Sequence, residues 1–344
     1  MLKIYGKLPK GERLERIKSS PNFKNGVFQN LSHTPTMAEG TNFFKVLVDF
    51  INKPKDAVPA FSLPAVKTDL KIIASDKPVI VWFGHSSYFI RINNKNILVD
   101  PVLSGNAAPF SFMVKAFKGV DIYTVDDFPE IDYLILTHDH YDHLDYKTII
   151  KLKNKVKTVC CSLGTGAHLE YWGYDGTLIN EFDWWDTKTF GDTTFTAAPA
   201  RHFSGRGLKR AQSLWVSFIL KTGGYSLYLG GDSGYGTHFK EIGSKYGPFD
   251  IALLETGQYN TSWPYIHMMP EETVQAGIDL GAKVIMPVHW GKFSLALHGW
   301  TEPVERFIKK ADELNVKYTT PMIGEPVILD ESYPVKQWWK RATP

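Results

Sequence analysis

At 344 residues the chain can bury a substantial core as one large domain or two, and 43% hydrophobic content suits a globular protein. Lys and Arg number 39 against 36 Asp and Glu, so the net charge of +3 argues against a nucleic-acid partner. The two cysteines, Cys160 and Cys161, are adjacent, which argues against a disulfide framework; one falls on each face of an expected strand as a buried apolar filler, as in a reducing compartment.

Residues 1–20 are basic and polar, without an apolar run before a small-residue cleavage site, and no segment has the apolar length of a bilayer span. The expected location is cytoplasmic. Residues 42–51, Asn42 to Ile51, read as a short apolar helix ending before an extended arm that carries Pro54, Pro59 and Pro64. Such a helix either grips a lipid surface, giving membrane association, or docks its apolar side on the body of the protein. Next comes the turn Gly84-His85-Ser86-Ser87 between apolar strands, then Lys95 to Val99, which ends at Asp100.

Ile131 to Leu136 is an apolar, β-prone run that reads as a buried strand, and Leu144 to Leu152 has apolar residues at helical spacing. Between them lies His138-Asp139-His140-Tyr141-Asp142-His143, an H-x-H-x-D-H cluster in a tight strand-to-helix loop, with Asp142 and His143 expected in the first helical turn. Imidazole and carboxylate together suit zinc, iron or manganese. Downstream, three more strand-like runs end in candidate ligands: Thr193 to Ala200 before His202, Tyr225 to Gly231 before Asp232, and Lys283 to Val288 before His289. Side chains at the ends of neighbouring strands converge on one rim of a sheet.

With these residues in place, the chain resembles the metallo-β-lactamase superfamily and, more narrowly, the N-acyl-phosphatidylethanolamine phospholipases D and their bacterial relatives. The matching stretches are Trp82 to Ser87, Asp100 to Ser104, Thr137 to Tyr146, Phe182 to Trp185, Pro199 to His202, Gly231 to Tyr235, Tyr246 to Asp250, His267 to Glu272 and His289 to Gly291. The resemblance implies an α/β fold, a four-layer αββα sandwich. The ligands span His138 to His289, so one catalytic domain, residues 75–344, is expected, with an N-terminal extension of residues 1–74 packed on it.

The resemblance also implies two divalent metal ions, zinc first, with iron or manganese as alternatives. His138, His140 and His202 would hold one, Asp142, His143 and His289 the other, and Asp232 would bridge cations about 3.5–4 Å apart. A hydroxide between them would be the nucleophile, and Asp142 and His267 are the catalytic candidates. Asp100 could accept the free ring N–H of a ligand histidine. His85 reads as a structural or supporting histidine. His267 could bind a phosphoryl oxygen or protonate the leaving group, or it could simply precede the helix that begins at Pro270. Arg206 matches a basic position of the family and could pair with phosphate, or be a solvated surface residue. Ile266 stands immediately before His267, where the mammalian phospholipases carry Gln, which weakens transfer of the exact lipid substrate. Trp184 and Trp185 could line a groove or pack in the core.

The expectation is a zinc-dependent dinuclear hydrolase cleaving a phosphodiester in a small-molecule or phospholipid substrate. The alternatives are a lactone, ester or amide hydrolase on the same site, or a di-iron oxidoreductase.

Overall fold

The computed structural model describes residues 3–340. The N-terminal segment carries α1 (Gly11–Ser19), a two-stranded hairpin of β1 (Phe23–Lys24) and β2 (Val27–Phe28), and α2 (Phe43–Ile51). Asn42 caps α2 by accepting the Lys45 N–H at 3.1 Å.

The first sheet is built from β3 (Val79–Trp82), β4 (Tyr88–Ile92), β5 (Lys95–Val99), β6 (Ile131–Leu136), β7 (Val156–Ser162) and β8 (Ile179–Phe182). Between these last strands lie α3 (Tyr146–Leu152) and α4 (Gly166–Tyr171). β9 (Thr187–Phe190), β10 (Thr193–Pro199), β11 (Val216–Thr222), β12 (Tyr225–Leu229), β13 (Ile251–Glu255) and β14 (Ile285–Val288) form the second sheet. α5 (His238–Tyr246) follows β12, α6 (Pro270–Asp279) follows β13, and α7 (Glu302–Glu313) follows β14. The chain then returns as β15 (Pro326–Ile328), which pairs antiparallel with β3 at the edge of the first sheet.

Alternation along the strands makes the layers. Ile80, Trp82, Ile90, Ile97, Val99 and Ile135 share a core with Phe195, Ala197, Phe218 and Leu227 of the second sheet. Their neighbours Val81, Phe89, Leu98, Leu134 and Leu136 pack instead with Ile149 and Leu152 of α3 and Leu169 of α4. Cys160 faces the first core and Cys161 the second, as the alternation predicts. The larger core continues beneath α5, α6 and α7 through Ile242, Val274 and Phe307, giving the expected four layers of helices, sheet, sheet and helices.

In the first sheet β3, β5 and β6 run in one sense, and in the second β10, β12, β13 and β14 do. Their C-terminal ends deliver Asp100, His138, His202, Asp232 and His289 to one rim. One expectation fails locally. α3 begins at Tyr146, because Asp145 caps it by accepting the Lys147 N–H. Asp142 and His143 therefore stand in the turn before the helix, not in its first turn.

The N-terminal segment is fastened to the rest by Arg13, whose guanidinium reaches Glu170 and Glu181, and by buried Leu63 and Leu70. Trp184 is buried and donates to the Trp215 carbonyl, while Trp185 stacks on Tyr246 at 6.1 Å; both serve packing.

Candidate metal centre

Two groups of donor atoms meet at the rim. In the first, His140 Nδ1 lies 3.0 Å from His138 Nε2 and 3.2 Å from His202 Nε2. Asp232 Oδ2 stands 3.8 Å from His138 Nε2 and 3.7 Å from His202 Nε2. In the second, His143 Nε2 is 3.7 Å from Asp142 Oδ2 and 3.1 Å from Asp232 Oδ1, which is itself 3.2 Å from His289 Nδ1. The two oxygens of Asp232 thus face different groups. Ligands held at about 2.0–2.2 Å around one tetrahedral cation lie roughly 3.3–3.6 Å apart, close to these spacings.

The chemistry of the donors fits cations as well. Burial keeps His138, His202 and His289 well below the usual histidine range, reinforced by neighbouring imidazoles, and burial pushes His140 down to about 4. Neutral imidazole is the form that coordinates. His143 Nε2 and Asp232 Oδ1 are buried without a hydrogen-bond partner, an expensive state for polar atoms that a metal relieves.

The remaining ring nitrogens are tied down. His143 Nδ1 donates to Asp100 Oδ2 at 2.7 Å, and Asp100 also takes the Thr137 N–H and hydroxyl at 2.9 and 2.6 Å. Since the Thr137 hydroxyl donates to Asp100, its lone pair accepts the His138 Nδ1–H at 3.0 Å. His202 Nδ1 donates to the Ile266 carbonyl at 2.8 Å. With Nδ1 carrying the proton in each ring, Nε2 is the atom left to coordinate; despite its burial, His143 is held well above the usual histidine range by Asp232, Asp142 and Asp100, so it would release a proton on binding a cation.

His85 is fully buried, donates from Nε2 to Asp142 Oδ2 at 2.9 Å and lies against the His289 ring, centroids 4.0 Å apart. It is grouped with Asp142, His143 and His289 among side chains that could share an ion. The loops of His85 and His289 are pinned to each other: His85 N–H donates to the Trp290 carbonyl and His289 N–H to the His85 carbonyl. His85, Asp100 and His289 all hold left-handed backbone, with φ of 54°, 40° and 68°. Such strain outside glycine persists where surrounding bonds over-determine it.

Above the donors opens a cleft of about 480 Å³. His140, Asp142, His202, Asp232, His267 and His289 line its floor, and Phe43, Val46, Leu47, Phe50, Trp263 and Ile266 its apolar side. Phe50 stacks on Trp263 at 5.8 Å, while Phe43, Phe44, Leu47, Val48 and Ile51 remain exposed. α2 therefore docks by one apolar face and leaves another open. His267 sits in the cleft, 5.0 Å from the His202 ring and 5.2 Å from that of His289.

Arg206 does not reach the cleft. It is buried, and its guanidinium donates to the carbonyls of Ile4, Asp139 and Leu144 and packs on Tyr141. The phosphate-pairing and solvated-surface readings of that residue are both replaced by a structural one. The arginine at the cleft is the exposed Arg210, over the Phe203 ring.

Sequence reasoning passed over three residues. Glu255 is buried at the end of β13, with its Oε2 2.7 Å from His267 Nδ1. Asp139, an unassigned position inside the histidine motif, accepts from the Gly205 N–H, the Ser213 hydroxyl and His168. Asn30 holds the His202 backbone. A carboxylate closing an apolar strand was the available signal for Glu255; the other two gave none.

A family model described as "Beta-lactamase superfamily domain" matches residues 95–290, more than half of the chain. The chain belongs to the β-lactamase superfamily, and its class is that of the metal-dependent hydrolases. An uncharacterised protein of Mycobacterium tuberculosis is 35% identical over 330 residues, covering 94% of this chain and 88% of that one. An N-acyl-phosphatidylethanolamine-hydrolyzing phospholipase D of Caenorhabditis elegans is 28% identical, covering 74% and 77%. Among solved structures, an isothiocyanate hydrolase from Delia radicum gut bacteria superposes with a TM-score of 0.58 at 19% identity, over 73% of this chain and 98% of that one, a likeness of fold alone. Among the described residues no helix is long and apolar enough to cross a membrane.

Proposed function

We propose that this protein is a dinuclear zinc hydrolase that cleaves a phosphodiester in a lipid, in the manner of a phospholipase D. The observation that carries the reading is the apolar wall of α2, Trp263 and Ile266, which leads onto the paired donor groups. The phospholipase D relative supports the same substrate class.

His138, His140 and His202 would hold one ion, Asp142, His143 and His289 the other, and Asp232 both. Bound there, two divalent cations supply positive charge to a phosphoryl group and lower the pKa of water into the neutral range. The protein's own part is positioning. Asp100 and Thr137 hold the rings of His143 and His138, and the Ile266 carbonyl holds that of His202. Ile266, where the mammalian phospholipases carry Gln, joins Val46 and Trp263 in the apolar wall, so that side would take an acyl chain instead of making a polar contact. Arg210 at the mouth offers a cation to an anionic headgroup. The exposed residues of α2 would enter the lipid surface beside the cleft, a peripheral contact.

The test is to incubate zinc-reconstituted protein with N-acyl-phosphatidylethanolamine in mixed micelles and follow phosphatidic acid by mass spectrometry. Metal-dependent release is expected. Absence of release with both metals loaded would discard this lipid as the substrate and turn the search to soluble phosphodiesters and lactones. Metal analysis of protein purified without chelators separates zinc from the di-iron alternative.

A further inference from the structure

Glu255 ends β13 beneath the cleft and is 1% exposed. A carboxylate in such a place costs free energy unless both oxygens are bonded. Both are: Oε2 lies 2.7 Å from His267 Nδ1, and Oε1 accepts the Met268 N–H at 2.7 Å. One side chain thus grips a ring and the peptide that follows it. The Glu255 carbonyl adds a third tie, accepting the Thr273 hydroxyl of α6 at 2.8 Å.

We propose that Glu255 is a positioning residue that sets the orientation and tautomer of His267, so that Nε2 is the atom presented to the substrate. The assignment rests on the reading of this cleft as the catalytic site. His267 packs edge to face on the His202 ring at 5.0 Å and stacks on the His289 ring at 5.2 Å, and these contacts leave its rotation unspecified. The bond to Glu255 removes that freedom. With Nδ1–H committed, Nε2 has no partner among the described residues and faces the side by which His267 keeps its 12% exposure. In the neutral ring that nitrogen is an acceptor, suited to an O–H or N–H on the substrate or on the attacking water. Glu255 touches neither. A helix anchor would need only the bonds to Met268 and Thr273; the 2.7 Å bond to the ring is what an anchor does not require.

The experiment uses the zinc-loaded full chain with ¹⁵N-labelled histidine and long-range ¹H–¹⁵N correlation spectra. The His267 signals are assigned by their loss in His267→Gln. Wild type is expected to carry its ring proton on Nδ1. In Glu255→Gln the amide oxygen can keep the Met268 bond while the NH₂ faces the ring, so the proton should move to Nε2. kcat should then fall about 10²–10³-fold, with KM within about twofold and metal content unchanged. A wild-type ring protonated on Nε2 alone would overturn the proposal, and that spectrum decides the matter even if Glu255→Gln fails to fold. A folded Glu255→Gln that keeps the wild-type tautomer or turnover would overturn it too. The spectra need no substrate, so they stand or fall apart from the phosphodiesterase reading.

Discussion

Asn30 and the backbone of His202 are joined in both directions. Asn30 Oδ1 accepts the His202 N–H at 3.1 Å, and Asn30 Nδ2 donates to the His202 carbonyl at 2.8 Å. The N-terminal segment thereby holds a candidate metal ligand that lies 172 positions further along the chain. Asn30→Ala removes both bonds and one acceptor of the Trp215 indole. Stability should fall by about 1–3 kcal/mol in denaturant titration. The ion nearest His202 should leave first when the variant is titrated with a chelator; equal release of both would mean that Asn30 serves folding alone.

Asp100 bonds to His143 and to Thr137 from a backbone with φ of 40°. Asn tolerates that conformation, so Asp100→Asn isolates the loss of charge and of one acceptor. Metal affinity should drop about 10–100-fold while the folded structure is kept. Competition with a coloured zinc chelator measures the first and circular dichroism the second. Unchanged affinity would show that the His143 tautomer needs no carboxylate.

Asp232 puts one oxygen toward each donor group. Asp232→Ala should lose metal and turnover together, seen by elemental analysis beside an activity assay. Wild-type turnover in that variant would sink the two-metal mechanism.

The convergence of His138, His140, Asp142 and His143 was legible because one short loop between a strand and a helix holds them all. His202, Asp232 and His289 were legible for a related reason, since each follows an apolar run and such runs end on one rim. Glu255 carries the same signal, but a lone carboxylate after a strand is too common to single out. Arg206 was misplaced because its partners are carbonyls, among them that of Ile4 at a separation of 202 residues, and spacing says nothing of contacts that distant. The start of α3 slipped because a cap depends on one side-chain bond, which Asp145 makes and periodicity does not see.

The open face of α2 calls for a substitution that spares the fold. Phe44 and Ile51 are 78% and 76% exposed, so Phe44→Glu with Ile51→Glu should change stability by about 0.5 kcal/mol or less. Flotation with phospholipid vesicles should show weaker binding, and activity on micelles should fall more than activity on a soluble phosphodiester. Equal vesicle binding by variant and wild type would remove α2 from the lipid contact.

Arg206 and Arg210, four positions apart, should separate structure from substrate. Arg206→Ala leaves the carbonyls of Asp139 and Leu144 without their buried donor and opens a gap beside Tyr141. A loss of about 2–4 kcal/mol is expected, because buried acceptors and lost packing act together. Arg210 has no carboxylate partner among the described residues and stands exposed at the cleft. Arg210→Ala should leave the denaturation midpoint in place, yet raise KM for an anionic lipid severalfold at low salt and less at high salt, because salt screens an exposed charge. If Arg206→Ala instead raised KM without loss of stability, the phosphate-pairing role read from the sequence would return to Arg206.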